Sequence, residues 1–91
     1  MTNQRITAIR ARLERAFAPS SLEVIDDSAK HAGHAGAKEG KGHFTVRITS
    51  THFAGVKPLE RHRLIYAALG ELMQTDIHAL KVEATAPDPT D

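Results

Sequence analysis

From Ile6 onward the first apolar residues fall at Ile6, Ile9, Leu13, Ala16 and Phe17. Steps of three and four place them on one face of an amphipathic helix. Thr2 or Asn3 can cap its start. Pro19 stops it, because proline cannot continue the hydrogen-bond ladder. Leu22 to Asp26 is rich in branched residues and partly alternating, which predicts a strand. Residues 28–42 hold four of the chain's six glycines and keep no regular period, so they read as a flexible loop. From His43 to Ser50, Phe44, Val46 and Ile48 alternate strictly with polar residues, the mark of a half-buried strand.

Gly55 and Pro58 frame a turn, and Pro58 suits the first turn of a helix. Leu59, Ile65, Ala68, Leu69, Leu72 and Met73 then mark a second amphipathic helix, with its end expected near Thr75 and Asp76. Leu80, Val82 and Ala84 alternate with Lys81 and Glu83 in a third strand. Residues 86–91 contain two prolines and two aspartates and read as a frayed, disordered tail. The order is α-β-β-α-β, a single α+β domain over residues 1–85. Two consecutive strands favour an antiparallel pair. The final strand–helix–strand unit needs a parallel, right-handed crossover. A three-stranded mixed sheet with the helices on one face satisfies both.

Composition narrows the chemistry. The 91 residues suit one modest core. Four aromatics leave that core to Ile, Leu, Val and Ala. No run of apolar residues is long enough to span a membrane, and the N-terminus shows no signal-peptide core. The absence of cysteine mildly favours a reducing compartment. A cytoplasmic protein is the expectation. A net charge of +1 neither requires nor excludes nucleic acid.

Six histidines and no cysteine define the remaining possibilities. Imidazole is a common metal ligand, but a thiolate-rich site would have to be completed by another molecule. His31 and His34 form an HxxH pair among glycines, where the spacing carries less force than on a helix, and exposed loop histidines often bind nothing. A closed zinc site needs four ligands. Only His43, Asp26 and Asp27 lie near enough in sequence to help, so a self-sufficient zinc site is not expected. His78, at the junction of helix and final strand, is either a packing residue or a ligand.

Gly33 to Gly36 matches the GxxG clamp of KH modules, but that clamp joins two helices, whereas this segment joins two strands. Arg61, His62 and Arg63 fan around a helix by about 100° per residue. A solvated face is the simpler reading. Nucleic-acid contact through Arg61, Arg63, Lys38 and Lys41 is the alternative. His62 and Tyr66, four apart, can stack. No nucleophile elbow, P-loop or dinucleotide fingerprint is present. Ser28 near His31 does not make a hydrolase, because a flexible loop cannot fix a nucleophile against its base. No enzymatic activity is expected.

Several segments in order resemble the BolA-like family: Leu22 to Ser28, His31 to His34, His43-Phe44, Ser50 to Gly55, Arg61 to Tyr66, and Ile77 to Leu80. The resemblance implies a topology like class II KH domains. It implies a heterodimer with a monothiol glutaredoxin, sharing a [2Fe-2S] cluster in iron–sulfur trafficking or iron regulation. The alternative it implies is a DNA-binding transcriptional regulator, against which the short C-terminal tail counts. In the family the histidine matching His78 is a cluster ligand. A loop histidine or cysteine is the second; His31 matches best by its distance from Ser28, with His34 the competitor. The glutaredoxin and glutathione would supply thiolates and this chain nitrogens, a mixed ligation that raises the cluster's potential. The isolated chain would then hold no stable cluster.

Overall fold

The computed structural model describes residues 4–28 and 42–87. Its elements are α1 (Gln4–Phe17), β1 (Ser21–Asp26), β2 (Gly42–Thr49), a 3-10 turn (Thr51–Phe53), α2 (Pro58–Leu69), a short α3 (Leu72–Thr75) and β3 (Ile77–Thr85). The strands lie in the order β1-β2-β3. β1 pairs antiparallel with β2, and β2 pairs parallel with β3. The mixed sheet and the chain order are those the periodicity predicts.

The core lies between the helices and one sheet face. Ile9, Leu13 and Phe17 of α1 meet Ile65 and Leu69 of α2 over Phe44, Val46 and Ile48 of the central strand. Leu22, Val24, Leu80, Val82 and Ala84 pack at the margin, as the period of two requires. Ala16, expected on the inner face of α1, is exposed. The helix turns one residue earlier than Pro19: Ala18 takes φ +42° and its amide donates to Glu14 O at 3.0 Å.

The second helix differs from the expectation. It ends at Leu69 instead of running to Thr75, because Gly70 adopts φ +55° and its amide closes on Tyr66 O. Arg12 of α1 ties this corner by donating to Leu69 O at 3.2 Å and pairing with Glu71. Leu72 and Met73 still pack on the core, now from α3. Apolar spacing carries across a two-residue break in a helix, so it does not reveal the break.

The sheet face away from the helices is polar. Arg47 lies between Glu23 of β1 and Glu83 of β3, at 3.3 and 3.4 Å. The hydrogen bond it donates to Glu23 and the charge of Glu83 push its pKa further up. Thr49 and Thr85 hydroxyls meet at 3.0 Å. These cross-strand contacts help fix the register.

Candidate functional site: a histidine pair at the sheet end

β3 begins with a register irregularity. Gly42 stands opposite Ile77, but His43 stands opposite Ala79, so His78 is an extra residue on β3. The reason is visible in the burial. Ile77 is in the core, and so are the inward sides of Leu80 and Val82. Residues 77 and 80 cannot share a face in a regular strand, and a bulge supplies the change of parity. The bulge also redirects His78, which is exposed. Its ring lies 5.1 Å, centroid to centroid, from the ring of His43 at an angle of 54°.

His43 has a different environment. Only 8% of it is exposed, and its Nε2 is out of reach of water. It lines an open pocket of about 260 Å³ together with Asp27, Thr45, Ala79 and Lys81. Thr45 donates its hydroxyl to the Asp27 carboxylate across the strands. The Gly42 amide donates to Asp76 O at 2.9 Å, which ties the starts of β2 and β3 together. Asp76 is itself held by Arg5 at 3.2 Å. The Thr75 hydroxyl bonded to its carboxylate holds that carboxyl below its ordinary pKa; burial opposes this, and Arg5 adds to the lowering.

Two imidazoles at this spacing can supply nitrogen ligands to one metal centre. Among the described residues no three histidine or acidic side chains come together as a metal site. A metal held at this pair would need its remaining ligands from elsewhere. His31, His34, Lys38 and Lys41 lie outside the described residues. They belong to the segment joining Ser28 to Gly42, whose two ends meet beside His43. The sequence points to His78 as a ligand but does not pair it with His43. The signal was there: a parallel crossover sets the starts of β2 and β3 side by side.

The arginines of α2 divide. Arg61 donates through Nε to Val56 O at 2.7 Å and through Nη1 to Ala84 O at 2.8 Å. It joins the Gly55 turn to the end of β3. Arg63 is 66% exposed and pairs with Glu60 at 3.3 Å. His62 and Tyr66 rings lie 6.4 Å apart, as their spacing predicts. No helix among the described residues is long and apolar enough to cross a membrane.

Comparison with known proteins gives consistent matches. The family model for BolA-like protein matches residues 13–89. BolA-like protein 1 of Mus musculus is 44% identical over 80 residues, 88% of this chain and 56% of that protein. The chain thus spans a little over half the length of that curated relative. The DNA-binding transcriptional regulator BolA of Escherichia coli is 43% identical over 72 residues, 79% of this chain and 66% of that one. Among solved structures, the BolA domain of SufE1 from Arabidopsis thaliana superposes with a TM-score of 0.82 at 38% identity, covering 96% of each chain.

Proposed function

The chain belongs to the BolA-like protein family, and on that footing we propose that it is a non-enzymatic partner that shares a [2Fe-2S] cluster with a monothiol glutaredoxin and glutathione. The observation that carries this reading is the pair of rings 5.1 Å apart, His78 exposed and His43 buried beside it. The chain has no thiolate to offer, and such a cluster normally takes four ligands, usually thiolates. Two nitrogens from this chain and two sulfurs from outside complete that number. His78 is the nitrogen a docked partner meets first. The second nitrogen comes from His31, with His34 its competitor, both in the sequence between Ser28 and Gly42, while the His43 ring packs beside His78. The cluster is cargo held between proteins, and it supplies electron-transfer and transfer-competent iron while bound.

The test has two arms. The chain alone, reconstituted with iron and sulfide and then desalted, should retain no cluster chromophore. Mixed with a cluster-loaded monothiol glutaredoxin and glutathione, it should change the visible spectrum and form a one-to-one complex. A stoichiometric cluster on the isolated chain, or an unchanged glutaredoxin spectrum, would overturn the reading.

A DNA-binding role is the second reading, favoured by the name of the Escherichia coli relative. The structure commits Arg61 to two backbone carbonyls. That leaves Arg63, Lys38 and Lys41 of the four candidate cations for phosphate. Each phosphate contact adds about 0.9 to the slope of log affinity against log salt, so the slope should stay below roughly three. Tight, sequence-selective binding at about 0.2 M salt would favour the regulator reading instead.

A further inference from the structure

His43 occupies the place where the β2–β3 ladder is irregular. The register shifts between Gly42 and His43, so the regular run of the ladder begins only at His43, opposite Ala79. The β1 side holds the residue as well. The Asp27 amide donates to the His43 carbonyl at 2.7 Å. The His43 amide donates to the Ser28 hydroxyl at 3.2 Å. Ser28 is placed in turn by its own amide, which donates to Asp26 Oδ1 at 2.8 Å, a turn closed by an aspartate side chain. Close approach is possible because residue 42 is glycine: a Cβ there would lie 2.5 Å from the Phe44 ring and 3.0 Å from Ser28 Oγ.

We propose that Ser28 is a positioning residue, whose hydroxyl holds the His43 backbone so that the His43 imidazole stays against His78. The purpose of this contact rests on the cluster-sharing reading; the contact itself belongs to the chain without any partner. Groups that orient ligands from behind are as much part of a metal site as the ligands, and their loss typically changes metal affinity 10–100-fold. A serine at this position has the reach for the task. Its hydroxyl accepts the amide proton while leaving the histidine ring to face His78. It does not touch the metal site itself.

Nuclear magnetic resonance on the isolated, isotopically labelled chain tests this. The native chain should show a nuclear Overhauser contact between the His43 and His78 rings and a protected His43 amide. Ser28→Ala should lose the ring contact and speed exchange of the His43 amide by roughly tenfold or more, with the Ile65 and Leu69 amides unchanged. Ser28→Thr keeps the hydroxyl and should keep both signals. Retention of both signals in Ser28→Ala would overturn the proposal. So would their loss in Ser28→Thr, or a Ser28→Ala chain whose core amides exchange along with His43, since the serine would then serve the whole fold. No cluster enters these measurements. A glutaredoxin titration that fails would therefore sink the cluster reading and leave the role of Ser28 standing on its own result.

Discussion

At the residue scale, two histidines that look alike in sequence have unlike environments. His78 is exposed on the bulge, and His43 is buried beside it. An exposed ring can reach a docked partner's metal, whereas a buried one is available only where it already points. His78→Ala should therefore remove nitrogen ligation from the complex with a cluster-loaded glutaredoxin. His43→Ala should weaken it, and His31→Ala should weaken it less than His78→Ala, since His34 can substitute. Pulsed electron paramagnetic resonance on the reduced complex reads nitrogen couplings directly. An unchanged coupling in His78→Ala would show that the exposed ring is no ligand. Of these residues, His78 could be picked out from its place in a family-like segment. The contribution of His43 needed the bulge, which follows from burial of Ile77 and not from any local motif.

At the element scale, joints between elements carry the specific constraints. Gly70 ends α2 at φ +55° and ψ −128°, a region that residues with a Cβ avoid. A Cβ there would also lie 3.3 Å from Arg12 Nη1. Gly70→Ala should cost about 1–3 kcal/mol, read as a lower midpoint in urea with an unchanged slope. Arg61 is the other joint. In a regular sheet alternate carbonyls of an edge strand point outward. Thr85 O faces β2, where it accepts from the Ser50 amide, so Ala84 O faces the open edge. Arg61 covers it while holding Val56 O, which blunts an edge otherwise open to pairing. Arg61→Ala should cost about 2 kcal/mol for two charged donors that are partly buried. For a domain of this size that lowers the melting temperature by roughly 10 °C. Arg61→Lys should rescue little, because one ammonium cannot reproduce the fork. A calorimetric scan of both variants decides it. A fall confined to DNA affinity, with stability intact, would return Arg61 to the phosphate-binding set.

At the scale of the whole molecule, α1 is latched to the distant α2–α3–β3 corner by arginines. Arg5 meets Asp76 and Arg12 meets Glu71. Both carboxyls have lowered pKa values, Asp76 first through the Thr75 hydroxyl and Glu71 first through Arg12. A carboxyl lowered on folding stabilises the protein fully above its unfolded pKa. That contribution is lost as pH falls from the ordinary carboxylate range through the lower folded value. Stability should therefore hold from neutral pH to the ordinary carboxylate range and decline below it. Asp76→Asn should make the acid decline shallower. Urea midpoints across an acid series check both; a decline that begins well above the carboxylate range would assign it to other groups. Asp76 also accepts the Gly42 amide through its carbonyl, so the same corner lies next to the histidine pair.

The periodicities by themselves determined the three strands and the two long helices, their order, the mixed sheet and most of the residues that build the core. Each of these follows from which side of a local repeat is apolar, and a repeat of two or 3.6 residues is written along the chain. The break at Gly70 was not, because its neighbours keep the apolar spacing on both sides of the gap. Nor was the partnership of His43 with His78, 35 positions apart. Parallel pairing brings their strands together, but a one-residue slip decides which side chains meet. That slip is set by competition between burying Ile77 and burying Leu80 from one strand, an energy that exists only once helices and sheet are packed. The role of Arg61 was decided in the same way, by carbonyls of Val56 and Ala84 that come within its reach only in the folded chain.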